Sequence, residues 1–295
     1  MPKIKALLEK MGLESTLPPV GGYFRRVTDR TETQQLYPLV DPYIDSPGAI
    51  PSGSLDGICP VCGEHSTFSG FTENLRESGA CAHCGSSNRQ RQMALMIRQR
   101  CHLAPLGPIW FPRSYAVYNA ESNGALHHRL AMSAGYVCSE YFGDGHRGGE
   151  IVNGVRHEDL QRLSFADDSM DLVLSSDVLE HMPDPYAAHR EIYRVLKPGG
   201  RHIFTVPFYP LAEKDDVRAV WENGEIRYLA EKLYHGDPVR PGEGVLVWTI
   251  FGTEMMRKLE DLGFVARAWN LYEPSSGIVG NCNTIFEAVK PGQGG

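Results

Sequence analysis

Two short cysteine knuckles, Cys59-Pro-Val-Cys62-Gly63 and Cys81-Ala-His-Cys84-Gly85, stand eighteen residues apart. Four thiolates at that spacing can surround one tetrahedral metal ion. The glycine after each knuckle lets the backbone turn so that its N–H groups face sulfur. Zinc fits this donor set, and iron would use the same four sulfurs. A pair of disulfides is the competing reading, and it needs an oxidising compartment. With protein sulfur in every position no coordination site is left for a substrate, so the expected role of the metal is structural. Cys101, Cys138 and Cys282 have no such pattern and read as small buried hydrophobes. Proton chemistry points to histidine, whose side chain titrates near neutral pH. Of eleven histidines, His181 and His235 are the candidate catalytic bases. His181 closes Leu179-Glu180-His181 just after an apolar run, and His235 lies in the turn-like Tyr234-His-Gly-Asp-Pro238. His127, His128 and His189 read as helix-surface bystanders. Tyr209, Trp221, Tyr228, Tyr234 and Trp248 form either an aromatic wall for a ring or sugar or a small satellite core.

The stretch that must position His181 runs from Phe165 to Pro207 and reads as one strand–helix–strand unit. Asp171-Leu-Val-Leu-Ser175 is a short apolar run ending in small polar residues, as expected of a buried parallel strand. Asp184 then caps a helix whose first position is Pro185. Ala188, Ile192, Val195 and Leu196 recur at helical spacing and give that helix one apolar face. Pro198-Gly199-Gly200 stops it, and His202–Val206 is the next strand. This order implies a right-handed crossover over a parallel sheet. Upstream, Asn88 caps a helix through about Arg100, with Met93, Ile97 and Cys101 on one side. Strands are expected at Tyr115–Ala120, Tyr136–Glu140 and Val152–Glu158, with a helix from Gly124 to Ala134. Downstream, Thr253 caps a helix ending near Leu262, and Gly263–Trp269 and Asn283–Val289 read as two further strands.

An aspartate opening the strand at Asp171, the polar end Ser175-Ser176-Asp177, Leu179-Glu180-His181 and Leu196-Lys-Pro-Gly-Gly200 together resemble the class I S-adenosylmethionine-dependent methyltransferases. The likeness covers about residues 107–289. It implies a doubly wound α/β fold with a seven-stranded, mostly parallel sheet whose last strand is antiparallel, beside a small N-terminal zinc-binding module. It also implies S-adenosylmethionine outside the carboxyl ends of the strands. The family's glycine-rich loop after the first strand is here Asn119-Ala120-Glu121-Ser-Asn-Gly124, with a single glycine. Glu121 is a candidate partner for the methionine ammonium. Glu140, where the second strand ends, is expected to accept both ribose hydroxyls, with Asp144 as the fallback. Asp159 is expected on the adenine amino group, with Leu160 supplying its backbone, and Ser176 and Asp177 complete the cofactor set. His181 falls beside the cofactor's sulfur, where it either shapes the pocket or takes a proton.

At 295 residues, 42% apolar and 22% charged, the chain has an ordinary globular composition. It divides into an N-terminal helix and extended arm (1–55), a zinc knuckle module with an arginine-rich bridging helix (56–106), and an α/β domain (107–290) with an insertion at 208–248. The first helix is expected around Ile4, Leu7, Leu8 and Met11, followed by a Pro- and Gly-rich arm. No apolar run reaches the roughly 18 residues of a membrane span, and no signal-peptide pattern opens the sequence. The cytoplasm is therefore the expected compartment. A net charge of −7 gives no overall argument for nucleic acid, yet 78–120 holds five arginines and no acid. Two functions compete. One is methylation of a small molecule or a glycan sugar, at a hydroxyl oxygen. The other is RNA base methylation, with the zinc module holding phosphate. A non-enzymatic cofactor-binding or interaction module is the third reading. Arginines lying exposed and contiguous would favour RNA, and arginines folded onto the α/β domain would favour a structural module.

Overall fold

The computed structural model describes residues 51–292, apart from 211, 237–241, 243 and 281–283, together with the backbone of 23–27. The expected first helix, most of the arm, Cys282 and Asp237-Pro238 lie outside the described residues.

In chain order the elements are strand β1 (Tyr23–Val27), a three-stranded module of β2 (Leu55–Ile58), β3 (His65–Ser69) and β4 (Ala80–Cys81), helix α1 (Asn88–Arg100), β5 (Val117–Asn119), α2 (Gly124–Leu130) and β6 (Tyr136–Cys138). Then follow β7 (Met170–Ser176), α3 (Pro185–Val195), β8 (Leu196–Thr205), α4 (Glu254–Asp261), β9 (Val265–Tyr272) and β10 (Thr284–Val289). The main sheet has the order β1-β9-β10-β8-β7-β5-β6. Strands β8, β7, β5 and β6 run parallel to one another, while β10 is antiparallel to β8, β9 to β10 and β1 to β9.

The seven strands are not the seven expected. The stretch Val152–Glu158 does not form a third parallel strand. Asn153 and Gly154 both take left-handed backbone angles, at φ 51° and 84°. They close a hairpin that pairs Ile151 with Arg156 and Val152 with Val155. An Asn-Gly pair favours this turn because both central positions need positive φ. A single parallel bridge, Glu140 to His157, is what joins this stretch to the end of the second expected strand. The seventh strand comes from the other end of the chain, where Tyr23–Val27 pairs with Ala268–Tyr272.

Both faces of the sheet are covered. Leu172, Val173 and Leu174 are all fully buried, and alternate residues serve opposite layers. Val173, Phe204 and Phe286 pack with Ala188 and Ile192 of α3 and Met255 of α4. On the other face Leu172, Leu174 and Ile203 pack with Met93 and Ile97 of α1 and Leu126 of α2. Cys59, Cys62, Cys81 and Phe68 belong to that second cluster, so the cysteine module shares a core with the sheet.

Local signals explain the helix ends. Asp184 accepts from the backbone N–H of Tyr186 and Ala187, and Pro185 opens α3. Helix α1 starts as expected but is capped by Ser87, in a capping box with Gln90, rather than by Asn88. The Asn88 amide instead donates to Val279 O at 2.6 Å. Thr253 precedes α4 without capping it through its side chain; its hydroxyl donates to Ala212 O.

Candidate active site and metal centre

The four knuckle cysteines converge. One sulfur from each lies within 4.8 Å of the others, and Cys59, Cys62 and Cys81 are buried. Gly63 and Gly85 adopt φ of 75° and 71° and return their N–H groups to Cys59 O and Cys81 O. A side chain at Gly63 would also overlap the backbone of Gly107. Cys59 and Cys84 sulfurs are 3.7 Å apart, and Ser86 and Ser66 place hydroxyls 3.3 and 3.1 Å from Cys59 and Cys81. The Cys84 thiol, with help from Ser86 and against burial, draws the Cys59 thiol down to about 4. The same contact and burial push Cys84 up, while burial lifts Cys62 to about 11. Sulfur so close to sulfur cannot all be thiolate without a cation between them. The arrangement is consistent with a four-cysteine zinc site.

The arginines around this centre point inward. Arg91 is fully buried, donates to Ser86 O and Gly277 O, and lies 4.6 Å from the centre of the Phe68 ring. Arg98 donates to Pro60 O, Ala104 O and Gly107 O. Arg100 sits over Trp269 and 3.6 Å from Glu287. Of the five, Arg113 is exposed.

At the carboxyl ends of the parallel strands, the loop after β5 holds its shape through side chains rather than glycines. The Asn119 amide donates to Glu121 O and Tyr136 OH. Ser122 donates from both its N–H and its hydroxyl to Glu140 Oε1, at 2.8 Å each. Ala120 N–H donates to Leu174 O. Gly124 has φ of 85°, and a Cβ there would overlap the Gln90 amide of α1. Burial pushes the Glu121 carboxyl up to about 7, even though Arg89 nearby draws it down. Glu140 is half-buried at the end of the second expected strand, and Asp144 is exposed. Asp159 accepts from the N–H of Gln161, and Leu160 beside it is buried.

Ser176 and Asp177 at the end of β7 are not bare. Arg76 donates to both oxygens of Asp177 at 2.7 Å, and Arg89 reaches Ser176 Oγ, Glu77 and Asp177. Burial raises the Asp177 carboxyl, but Arg76 and Arg89 outweigh it and hold it well below the usual carboxylate range. Arg76 comes from Leu75–Glu77, in the loop between the two knuckles. The cysteine module therefore supplies residues to the strand end itself. Arg76 gave no signal in the sequence, since it belongs to no periodic element.

Three residues past Asp177 lies a second convergence. His181 Nε2 and His235 Nδ1 are 3.3 Å apart with their rings at 86°. Glu180 Oε1 is 3.6 Å from the first nitrogen and 3.8 Å from the second. The Glu180 side chain is fully buried, and neither oxygen has a hydrogen-bond partner among the described residues. Burial, followed by the charge of Asp177, holds its carboxyl well above the usual range. Burial, then His181, lowers His235 to about 4. His181 Nδ1 lies 2.9 Å from Leu246 O, which makes Nδ1 the protonated nitrogen. Tyr234–His235 pairs with Val245–Leu246, so the insertion delivers both His235 and that carbonyl.

One expectation fails. His189 is not on the surface. It is fully buried on the inner side of α3 against His202 and Phe204, and burial lowers it to about 3. Of the five insertion aromatics Trp248 is buried, while Trp221, Tyr228 and Tyr234 are exposed.

A family model described as a methyltransferase domain matches residues 140–204, from Glu140 through β8. Over that stretch the chain is similar to methyltransferase domains. An uncharacterized methyltransferase of Mycobacterium marinum is 32% identical over 114 residues, which are 38% of this chain and 45% of that protein. An uncharacterized methyltransferase of Mycobacterium tuberculosis gives the same identity and coverage. The chain thus spans less than half the length of these relatives. Among solved structures, a Mesorhizobium loti S-adenosylmethionine-dependent methyltransferase is 16% identical, with TM-score 0.36 over 59% of this chain and 90% of that one. The Burkholderia thailandensis 1,6-didemethyltoxoflavin-N1-methyltransferase is 14% identical, with TM-score 0.38 over 68% of this chain and 78% of that one. Among the described residues no helix is long and apolar enough to cross a membrane.

Proposed function

We propose that the chain transfers the methyl group of S-adenosylmethionine to a hydroxyl oxygen of a small molecule or of a glycan sugar. In this reading residues 56–106 are the metal module, 107–290 are the transferase domain, and the insertion 208–248 lies over the acceptor. The residues at the strand ends suit the cofactor. Its methionine end is a zwitterion, and Glu121 and Arg89 offer neighbouring charges of opposite sign. The Glu140 carboxylate, fixed on one oxygen by Ser122, would take the ribose hydroxyls. Asp159 and Leu160 would hold the adenine, and Ala120 and Gly124 would frame the loop. Ser176 and Asp177, braced by Arg76 and Arg89, would shape the methionine side of the pocket. The cofactor supplies a methyl already activated on a sulfonium, so the chain must align the acceptor and collect its proton.

The observation that carries the hydroxyl reading is the meeting of His181 and His235 beside Glu180. Burial, then His181, lowers His235 to about 4, so its imidazole is neutral near pH 7. RNA is the weaker reading because Arg91 and Arg98 are buried against backbone carbonyls instead of forming an exposed stripe. The test uses labelled S-adenosylmethionine with hydroxylated sugars, small hydroxylated molecules and total RNA. Label is expected in an oxygen-methylated product, with turnover about 100- to 10,000-fold lower in His235→Asn and cofactor affinity little changed. Label in RNA, or normal turnover in both His235→Asn and His181→Asn, overturns the hydroxyl reading in favour of a base, an amine or a thiolate. Cofactor binding without transfer to any acceptor would leave the interaction module.

A further inference from the structure

We infer that Glu180, His181 and His235 form a binding site for a divalent first-row metal ion, distinct from the cysteine cluster. The geometry is quantitative. The three facing atoms, Glu180 Oε1, His181 Nε2 and His235 Nδ1, stand 3.3, 3.6 and 3.8 Å apart. The point equidistant from them lies about 2.1 Å from each, within the range of zinc–nitrogen and zinc–carboxylate bonds. The three donors are thus close enough together to share one ion.

The protonation pattern agrees with the distances. With Nδ1 of His181 donating to Leu246 O, the Nε2 lone pair faces His235 and Glu180. Histidines that bind metal ordinarily donate their other nitrogen to a carbonyl or carboxylate in this way. Glu180 supplies the independent sign. A fully buried carboxyl with both oxygens unpartnered is costly. The two imidazole nitrogens lie 3.6 and 3.8 Å from its Oε1, and an ion between the three would satisfy the carboxylate.

Two imidazoles and one carboxylate suit ions of intermediate softness such as zinc, manganese or iron(II). Unlike the four-sulfur centre, a three-donor site keeps a coordination position open. The site joins the turn at Leu179–His181, next to β7, to the insertion strand Tyr234–His235. An ion there would fasten the insertion to the strand end. Its use in orienting the acceptor oxygen rests on the proposed reaction, but its binding does not.

The experiment therefore needs neither cofactor nor acceptor. Full-length protein holding metal in its cysteine cluster is titrated with cobalt(II) and followed by visible absorption. One further equivalent is expected, giving weak d–d bands without thiolate charge transfer. Glu180→Gln, which is nearly isosteric, and His235→Ala, at a half-buried position, are each expected to weaken that equivalent at least about tenfold while the cysteine-bound metal stays. Unchanged far-ultraviolet circular dichroism in either variant shows that the fold is kept. If the wild type takes up no cobalt beyond the cysteine cluster, or both folded variants bind it normally, the site is a proton-sharing Glu–His–His cluster and the inference is overturned.

Discussion

The cysteine centre and the Glu180–His181–His235 cluster are assembled by opposite means. Each cysteine pair is set by a turn of a few residues, with Gly63 and Gly85 returning their N–H groups to the knuckles. The second cluster joins residues 54 apart in sequence, and only the pairing of Tyr234–His235 with Val245–Leu246 beside β7 brings them together. Local turns yield a four-donor set made wholly of sulfur. A meeting of distant segments yields a three-donor set beside the end of β7. Spacing in sequence thus records the first kind of centre and is nearly blind to the second.

The sharpest way to break this contrast is to empty the cysteine centre. Cys62→Ala, or prolonged chelation, should destabilise far more than the module, because Phe68, Met93 and Ile97 share a core with the sheet. Because metal binding at such a centre is also folding free energy, the loss should reach about 4 kcal/mol or more. Denaturant unfolding should register at least that much. A loss under about 1 kcal/mol would mean that the module is an independent appendage.

A smaller loss, about 3 kcal/mol, is expected from Arg76→Met, which leaves Asp177 with one arginine instead of two. The pH dependence gives the sign. The Asp177 carboxyl is lower in the folded protein than in the unfolded chain, so its contribution is complete above the usual carboxylate pKa of about 4. It is lost as pH falls through the folded value. The stability difference between wild type and Arg76→Met should shrink below about pH 4. A difference that holds constant into acid would assign Arg76 a packing role instead.

Glu140→Ala should weaken binding of S-adenosylhomocysteine about tenfold or more by calorimetry, from the loss of charged hydrogen bonds worth about 1.5–3 kcal/mol each. Unchanged affinity would move the ribose contact elsewhere. Least of all, Asp184→Ala should cost about 1 kcal/mol through its lost helix cap without altering metal content. That purely local defect sets the scale for the other three.

What the sequence revealed follows the same division. The knuckles, the cap at Asp184 and the buried Ala188–Ile192 face were legible because each is fixed by neighbours within one or two turns. The sheet was read correctly at β5 and β7, while β8 starts earlier than expected, at Leu196, and carries Pro198-Gly199-Gly200 within it. It was misread at 152–158, where apolar residues suggested a strand and Asn153-Gly154 closed a hairpin. That dipeptide was the available signal. His181 and His235 were each visible as single residues, but Glu180 was noticed only as part of a motif. Arg76 was silent, since an ion pair spanning 101 residues leaves no local trace. His189 was misplaced because an imidazole on a helix looks polar until the layer above it is known.

The edge strand β1 carries a consequence for how the chain reaches this state. Its partners at 268–272 lie almost the whole length of the chain away, so pairing closes a very large loop. Loop closure of that size is paid before the contact rewards it. The unit from Met170 to Thr205 has a short crossover instead, and it can form from neighbours alone. Folding should therefore proceed outward from β7, α3 and β8, with β9 and β10 joining next. The strand synthesised first would be the last to dock.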